Sequence, residues 1–320
     1  MNYFLNMKNV EFILKVVKNF IEIRPELEYI IYNCYFKSIF YRKRHIKRGM
    51  FDWIKDVKIF NLNKKEGELI YNNFKFILLK NKLKDIPLHQ KYLYTALISY
   101  FKIPKYYLLF WDDLIVFKEI FIEKIYDKMN FIKKGDVILD IGASIGWYTC
   151  KIAKLVGDTG KIIAIEPNPE NFFYLKKNIK LNDLKNIITL NLGVWSSKNN
   201  IDFMKNKYAS SLNYLHESKN DEINRNNIKI KVDIIDNIIM DLNLKSINLI
   251  RMDIEGAEVE AIKGSKKTLL SSNELRLIIS AYHKTQFGRT TYETLVPYLE
   301  KLKFKIFKDN QPYIYAQKIS

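Results

Sequence analysis

The stretch Val137-Ile-Leu-Asp140-Ile-Gly142-Ala143-Ser144-Ile-Gly146-Trp147-Tyr148 decides the fold of this chain. It reads as a buried strand that breaks into a glycine turn and then opens a helix over roughly Trp147 to Leu155. The apolar run before Asp140 is that of a strand covered on both faces. Gly142 and Gly146 admit backbone angles and close approaches that a side chain forbids. The helix behind them turns unpaired N–H groups toward whatever occupies the turn.

Downstream, Lys161-Ile-Ile-Ala-Ile-Glu166 predicts a second strand ending in an acid, twenty residues beyond Gly146. At that separation a βαβ unit brings a carboxylate to ribose hydroxyls, so the turn reads as the site of a nucleoside-bearing cofactor. Its pattern, Asp-x-Gly-x-x-x-Gly, lacks the middle glycine that admits a pyrophosphate, and Ser144 fills part of that space. An acid ahead of the glycines suits a cofactor with a cationic amine. This points to S-adenosylmethionine over a NAD-like cofactor, with an empty, degenerate Rossmann unit as the remaining alternative.

A third segment, Ile247-Asn-Leu-Ile-Arg-Met-Asp253-Ile-Glu255-Gly256-Ala-Glu258, predicts a strand that ends in acids and re-enters a helix. Asp253 then falls beyond the carboxyl end of a strand, where open α/β sheets bind ligands. Together, Asp140-Ile-Gly-Ala-Ser-Ile-Gly-Trp-Tyr-Thr149, Ile165-Glu-Pro-Asn-Pro169, a following Leu-Asn and Met252-Asp-Ile-Glu-Gly-Ala-Glu258 resemble the FkbM family of S-adenosylmethionine-dependent methyltransferases. The resemblance covers roughly Ile115 to Lys318. It implies an α/β, Rossmann-like class I methyltransferase sheet of seven strands, the last antiparallel. It also implies O-methylation, typically of sugar hydroxyls or of hydroxyls on secondary metabolites.

Carried onto the matching positions, Asp140, Gly142, Ala143 and Gly146 surround the methionine part of the cofactor, with Ser144 in the same turn. Glu166 holds the ribose, and Asn168 and Gly193 lie near the adenine. Tyr148 joins the cofactor set. The plainer alternatives are that Asp140 ties down loop amides, that Asn168, between two prolines, caps the next helix, and that Tyr148 packs the first helix.

Asp253 is the group expected to orient or deprotonate a substrate hydroxyl, with Glu255 beside it as a substrate contact. A divalent cation held through oxygen ligands is an alternative use of Asp253, but no second acid cluster of suitable spacing supports it, so no metal ligand is assigned. For Glu258 the plain reading is that it complements the helix dipole. His283, after Leu275-Arg-Leu-Ile-Ile-Ser-Ala-Tyr, is the expected base near neutral pH, with a hydrogen-bonded structural role as the alternative. The family often carries an acid two or three residues ahead of this histidine, where this chain has Ser280 and Ala281. Between the predicted strands Asn199 to Met204 and Asn227 to Ile234, the resemblance implies that Ser210 or Ser211 approaches the active site as a substrate contact, with ordinary turn chemistry as the alternative.

The chain has 320 residues, 48% of them hydrophobic, enough for one large core and a smaller accessory region. Its two cysteines, Cys34 and Cys150, imply no disulfide framework. There is no signal-peptide pattern and no apolar run approaching about 18 residues, so a cytoplasmic protein without a transmembrane segment is expected. The net charge of +18 invites a polyanion partner, but the lysines are spread along the whole chain. A nucleic-acid methyltransferase and a noncatalytic, polyanion-binding protein that kept the Rossmann core are the alternatives to a small-molecule or glycan enzyme. No Asn-Pro-Pro-Tyr-like run or Pro-Cys pair favours base methylation.

The dense basic cluster Arg42-Lys-Arg-His-Ile-Lys-Arg48 is expected either to form a solvated helix face or to touch an anionic membrane surface or a lipid-linked phosphate. It lies in an N-terminal α+β accessory region, residues 1–112, that precedes the methyltransferase domain of residues 113–320. A helix is expected over Asn9 to Ile23, a hairpin turning at Asn72 and Asn73, and a helix over Leu114 to Phe131 leading into the first core strand.

Overall fold

The computed structural model describes residues 58–61, 66–72, 74–79, 113, 116–204, 214–216, 227–271, 274–283, 289–307 and 313–319. The chain divides into two compact units, Met1–Lys58 with Ile86–Leu108, and Ile59–Asp85 with Leu109–Ser320. The expected helix at Asn9 to Ile23, the cluster at Arg42 to Arg48 and the pair Ser210 and Ser211 lie outside the described residues.

Three strands, β1 (Lys58–Asn61), β2 (Glu66–Tyr71) and β3 (Phe74–Leu79), form a small sheet. Then follow β4 (Val137–Ile141), α1 (Trp147–Val156), β5 (Lys161–Ile165), α2 (Pro169–Leu181), β6 (Ile187–Leu190), β7 (Gly193–Val194), β8 (Asn199–Met204), β9 (Tyr214–His216) and β10 (Asn227–Asp233). The chain continues through α3 (Ile235–Asp241), β11 (Leu249–Met252), α4 (Glu258–Lys263), α5 (Lys266–Ser271), β12 (Arg276–Ser280), α6 (Thr291–Lys301), β13 (Phe304–Phe307) and β14 (Tyr313–Lys318).

Seven strands make the central sheet, in the order β13-β14-β12-β11-β4-β5-β6. Strands β12, β11, β4, β5 and β6 are mutually parallel, while β14 runs antiparallel to both β12 and β13. This is the Rossmann-like methyltransferase sheet with its last strand reversed. Ile138, Leu139, Ile162, Ile163, Ile165, Leu277, Ile278 and Ile279 are buried between helices on the two faces, which is why these strands read as continuous apolar runs. The strand order reverses between β4 and β11, so the crevice at their carboxyl ends is the topological switch point.

The insertion folds separately, as a four-stranded sheet of order β7-β10-β8-β9, in which the two expected strands, β8 and β10, pair antiparallel. The β2–β3 hairpin reverses between Tyr71 and Phe74, with Asn72 in the left-handed region at φ +49°. Its outer strand is covered by α2. Asn178 Oδ1 accepts the Ile77 N–H at 2.6 Å, Asn182 Oδ1 accepts the Lys75 N–H at 3.0 Å, and Phe76 packs on Trp147 with ring centroids 4.3 Å apart.

The helix expected over Leu114 to Phe131 is shorter than the pattern suggests. It closes as one π-helical turn, Lys118–Ile122, and residues 123–136 follow as turns with Lys124 and Asn130 at positive φ. Ile125, Tyr126 and Phe131 are apolar because they are inserted into the core, which imitates a helical face. Cys150 is buried in α1, as a small packing residue, and burial pushes its thiol up to about 12.

Candidate active site

The glycine turn is built by contact between β4 and β11. Gly142 has φ +84°, and a Cβ there would lie 1.9 Å from the Asp253 carbonyl oxygen, so only glycine lets the two strand ends meet. Gly146, at φ +96°, precedes α1, and a Cβ there would strike Leu175 of α2 at 2.8 Å. The glycines thus bring two strands and two helices to one rim, with Ala143 buried between them. Gly193 lies in β7, buried and paired with Val232 of β10.

At the end of β5, Glu166 is buried and engaged by the turn itself. Its Oε2 accepts the Ser144 N–H at 2.8 Å and its Oε1 accepts the Asn168 N–H at 2.8 Å. Burial lifts this carboxyl to about 7, against the pull of those hydrogen bonds. Asn168 caps α2, its Oδ1 accepting the Glu170 N–H at 2.9 Å, while its Nδ2 is buried with no hydrogen-bond partner among the described residues. Capping and ligand contact are therefore compatible, because they use opposite ends of one amide.

Asp140 is fully buried and takes Thr149 Oγ1 at 2.5 Å and Arg251 Nη1 at 3.1 Å, one on each carboxylate oxygen. An acid ahead of the glycines suits a cationic amine of a cofactor; within the protein the cation Asp140 meets is Arg251. Tyr148 is packed into the core, its ring 4.9 Å from that of Tyr126. Its hydroxyl is buried without a hydrogen-bond partner among the described residues.

Arg251 links the two strand ends. Nη1 also donates to the Gly142 carbonyl at 3.1 Å, and Nη2 donates to the Tyr126 hydroxyl at 2.7 Å and to Asp253 Oδ2 at 3.0 Å. The Tyr126 hydroxyl in turn donates to Asp253 Oδ2 at 2.7 Å. Asp253 Oδ1 has no hydrogen-bond partner among the described residues. Sequence reasoning passed over Arg251 and Tyr126. A charged residue inside the apolar strand Leu249–Met252 was the available signal, since a buried guanidinium requires partners.

Around the helix turn after β11, Glu255 sits in the left-handed region at φ +54°. Its Oε2 lies 3.1 Å from His283 Nε2, in charge contact but off the line of a hydrogen bond. Glu258 is fully buried. Its Oε1 accepts the Ile254 and Gly256 N–H groups at 3.1 and 3.3 Å and lies 2.9 Å from His283 Nδ1. Although burial favours the neutral ring, the two glutamates raise His283 to about 10. This surrounding favours the imidazolium form over the neutral base that the sequence suggests. Strand β12 ends at Ser280, three residues before it, and Ser280 Oγ lies 3.3 Å from the Tyr126 hydroxyl.

One further acid is legible only in three dimensions. Glu119, on the π-helical turn, is raised to about 7 by burial and by the nearby charges of Asp253 and Glu123. Among the described residues, Asp253, Glu258 and His283 are the group able to converge on a metal ion, their ligand atoms all within 4.8 Å of one another. Glu258 Oε1 is already taken by two backbone N–H groups and the His283 ring. For an S-adenosyl cofactor the rim is suited: buried, partnerless polar atoms stand at the ends of both β5 and β11, in Asn168 and Asp253.

Comparison with known proteins agrees with this geometry. Residues 140–306 match the family model described as the methyltransferase FkbM domain. Methyltransferase sdnD of Sordaria araneosa is 28% identical, over 52% of this chain and 72% of that protein. Methyltransferase 1 of Beauveria bassiana is 26% identical, over 47% of this chain and 66% of that protein. Hexuronic acid methyltransferase AglP of Haloferax volcanii is 28% identical, over 44% of this chain and 54% of that protein. A match over residues 140–306, with the reversed last strand and the glycine turn at the switch point, makes this chain a member of the FkbM family of S-adenosylmethionine-dependent methyltransferases.

Proposed function

We propose that the protein is an O-methyltransferase whose acceptor is a hydroxyl of a sugar, glycan or glycolipid precursor. The observation that carries the reading is Asp253 at the switch point, whose carboxylate has one oxygen held by two donors and the other, Oδ1, without a partner among the described residues. Support for a sugar acceptor comes from the likeness to a relative named a hexuronic acid methyltransferase.

S-adenosylmethionine, bound along the ends of β4 and β5, supplies a methyl group already activated by the sulfonium. The chain's own work is alignment and the removal of one proton. Glu166 takes the ribose hydroxyls on its remaining lone pairs, and the Asn168 amide donates to the nucleoside. Asp253 Oδ1 accepts the hydrogen bond of the acceptor O–H, turns the oxygen toward the methyl carbon and receives the proton as transfer proceeds. His283, as a cation between Glu255 and Glu258, steadies the acidic turn that presents Asp253. Glu255 lies at the same rim as a contact for the rest of the acceptor. This chemistry needs no metal, and none is assigned.

The test is transfer of a labelled methyl group from S-adenosylmethionine to a panel of neutral, amino and acidic sugars, with the Asp253→Asn variant alongside. Incorporation into a sugar hydroxyl that falls about a hundredfold in the variant is expected. Full turnover by the variant removes Asp253 from the mechanism, and failure to label any sugar while the cofactor binds removes the acceptor class.

A further inference from the structure

We propose that Arg251 is a positioning residue that selects which oxygen of Asp253 faces the acceptor. The inference rests on the role given to Asp253 above. Arg251 and Asp140 are side-by-side partners on adjacent parallel strands, and the arginine side chain is 5% exposed. Its planar fork spans two carboxylates at once, with Nη1 on Asp140 Oδ1 and the Gly142 carbonyl, and Nη2 on Asp253 Oδ2 and the Tyr126 hydroxyl. The guanidinium carbon lies 4.3 Å from the Tyr126 ring centre and 5.3 Å from that of Tyr148, so the fork cannot rotate without displacing an aromatic ring.

A carboxylate can present either oxygen. Among the described residues, both side-chain donors that reach Asp253, from Arg251 and from Tyr126, fall on Oδ2. The plane of the group and the direction of Oδ1 follow. Asp140 is what holds the fork: fully buried, it fixes the other end of the guanidinium against β4. The acid of the glycine turn thus acts on the acceptor side of the site through Arg251. A lysine carries the same charge but places one nitrogen where the fork has two, and cannot span both acids.

S-adenosylmethionine and S-adenosylhomocysteine differ by the sulfonium charge and its methyl, so the ratio of their dissociation constants reads the placement of Asp253 without any acceptor. Calorimetric titration with both ligands is made on the full-length protein, Arg251→Lys, Asp253→Asn and the double variant, with thermal midpoints recorded for each. Arg251→Lys is expected to lower the preference for the sulfonium ligand about fivefold while changing homocysteine-ligand affinity less than about twofold. Asp253→Asn should lower it similarly, and the double variant no further. Equal weakening of both ligands by Arg251→Lys, or additive effects in the double variant, overturns the proposal. If Asp253→Asn alone leaves the ratio unchanged, the fault lies in the role of Asp253. If it lowers the ratio and Arg251→Lys does not, the fault lies with Arg251. Should Arg251→Lys not fold, Tyr126→Phe removes the other donor to Oδ2 while leaving the Arg251 fork in place; the ratio should then stay within about twofold of that of the unaltered protein, and a loss of about fivefold there gives the selection to Tyr126 and overturns the proposal.

Discussion

Two buried arginines sit at opposite ends of the same sheet, and their surroundings differ in a way that separates structure from function. At the amino ends of the strands, Arg276 has a partner for every nitrogen. Nη2 meets Asp136 at 2.8 Å, Nε donates to the Asn248 carbonyl at 3.2 Å, and Nη1 donates to the Phe131 carbonyl. Asp136 is closed in turn, its Oδ2 accepting the Lys133 N–H at 2.7 Å. At the carboxyl ends, Arg251 is equally buried, yet its Nε and the Oδ1 of its partner Asp253 are left without hydrogen bonds among the described residues. A buried polar group without a partner costs free energy comparable to a lost hydrogen bond. Among the described residues, the buried charges are fully partnered at the amino ends of the strands and incompletely partnered at the carboxyl ends, where a ligand is expected.

If the lower pair serves only the fold, its loss should be the larger event in stability. Arg276→Met leaves Asp136 buried and unpaired, and chemical denaturation is expected to register a loss of about 3–5 kcal/mol. Cofactor affinity of the remaining folded protein should be unchanged, and a specific loss of binding would break the contrast between the two ends.

The upper end should respond to pH where the lower does not. Glu166 has its carboxyl raised to about 7 by burial, so the ionised fraction, the better acceptor for ribose hydroxyls, grows from pH 6 to 8. Affinity for S-adenosylhomocysteine is expected to rise over that interval by up to about tenfold in calorimetry. Glu166→Gln should flatten the profile at weak affinity. A flat profile in the unaltered protein would detach Glu166 from the ligand.

The smallest effect concerns Glu119. Burial, with Asp253 and Glu123 nearby, raises its carboxyl from the usual 4.5 to about 7, so between those values the folded state binds the extra proton and the unfolded chain does not. Stability therefore falls as pH rises from 4.5 through 7. Glu119→Gln should remove that fall, gaining about 1 kcal/mol at pH 8 relative to pH 4.5 in denaturation curves. Identical pH dependence in the variant would place the carboxyl outside the acidic rim.

The two ends were also unequally legible. The glycine turn, Glu166 and Asp253 announce themselves because each closes a run of apolar residues, and strand, turn and helix follow from periodicity within a few residues. Arg251 and Arg276 also interrupt apolar runs, but nothing along the chain distinguishes their surroundings. One pairs with Asp140, 111 positions away, and the other with Asp136, 140 positions away. Tyr126 was taken for part of a helix because an inserted apolar turn and an amphipathic face have the same composition. His283 was read as a base from its intrinsic pKa, and its charge changed once Glu255 and Glu258 were brought beside it.

By itself, then, the sequence determined the strands, the glycine turn and the acids at strand ends, because these depend on local hydrophobic period and on residue type, and the motifs they form carried the resemblance that implied the family and its sheet. Tertiary structure alone decided which buried charges are satisfied. It put Asp140 on Arg251, left Asp253 with one oxygen unpartnered among the described residues, and set His283 between two glutamates that favour its charged form. The physical reason is that hydrogen-bond partners and charge in a buried site are set by neighbours in space. Here those neighbours come from β4, β11, the turn after Lys118–Ile122 and the loop after β12, segments joined only by the folding of the sheet.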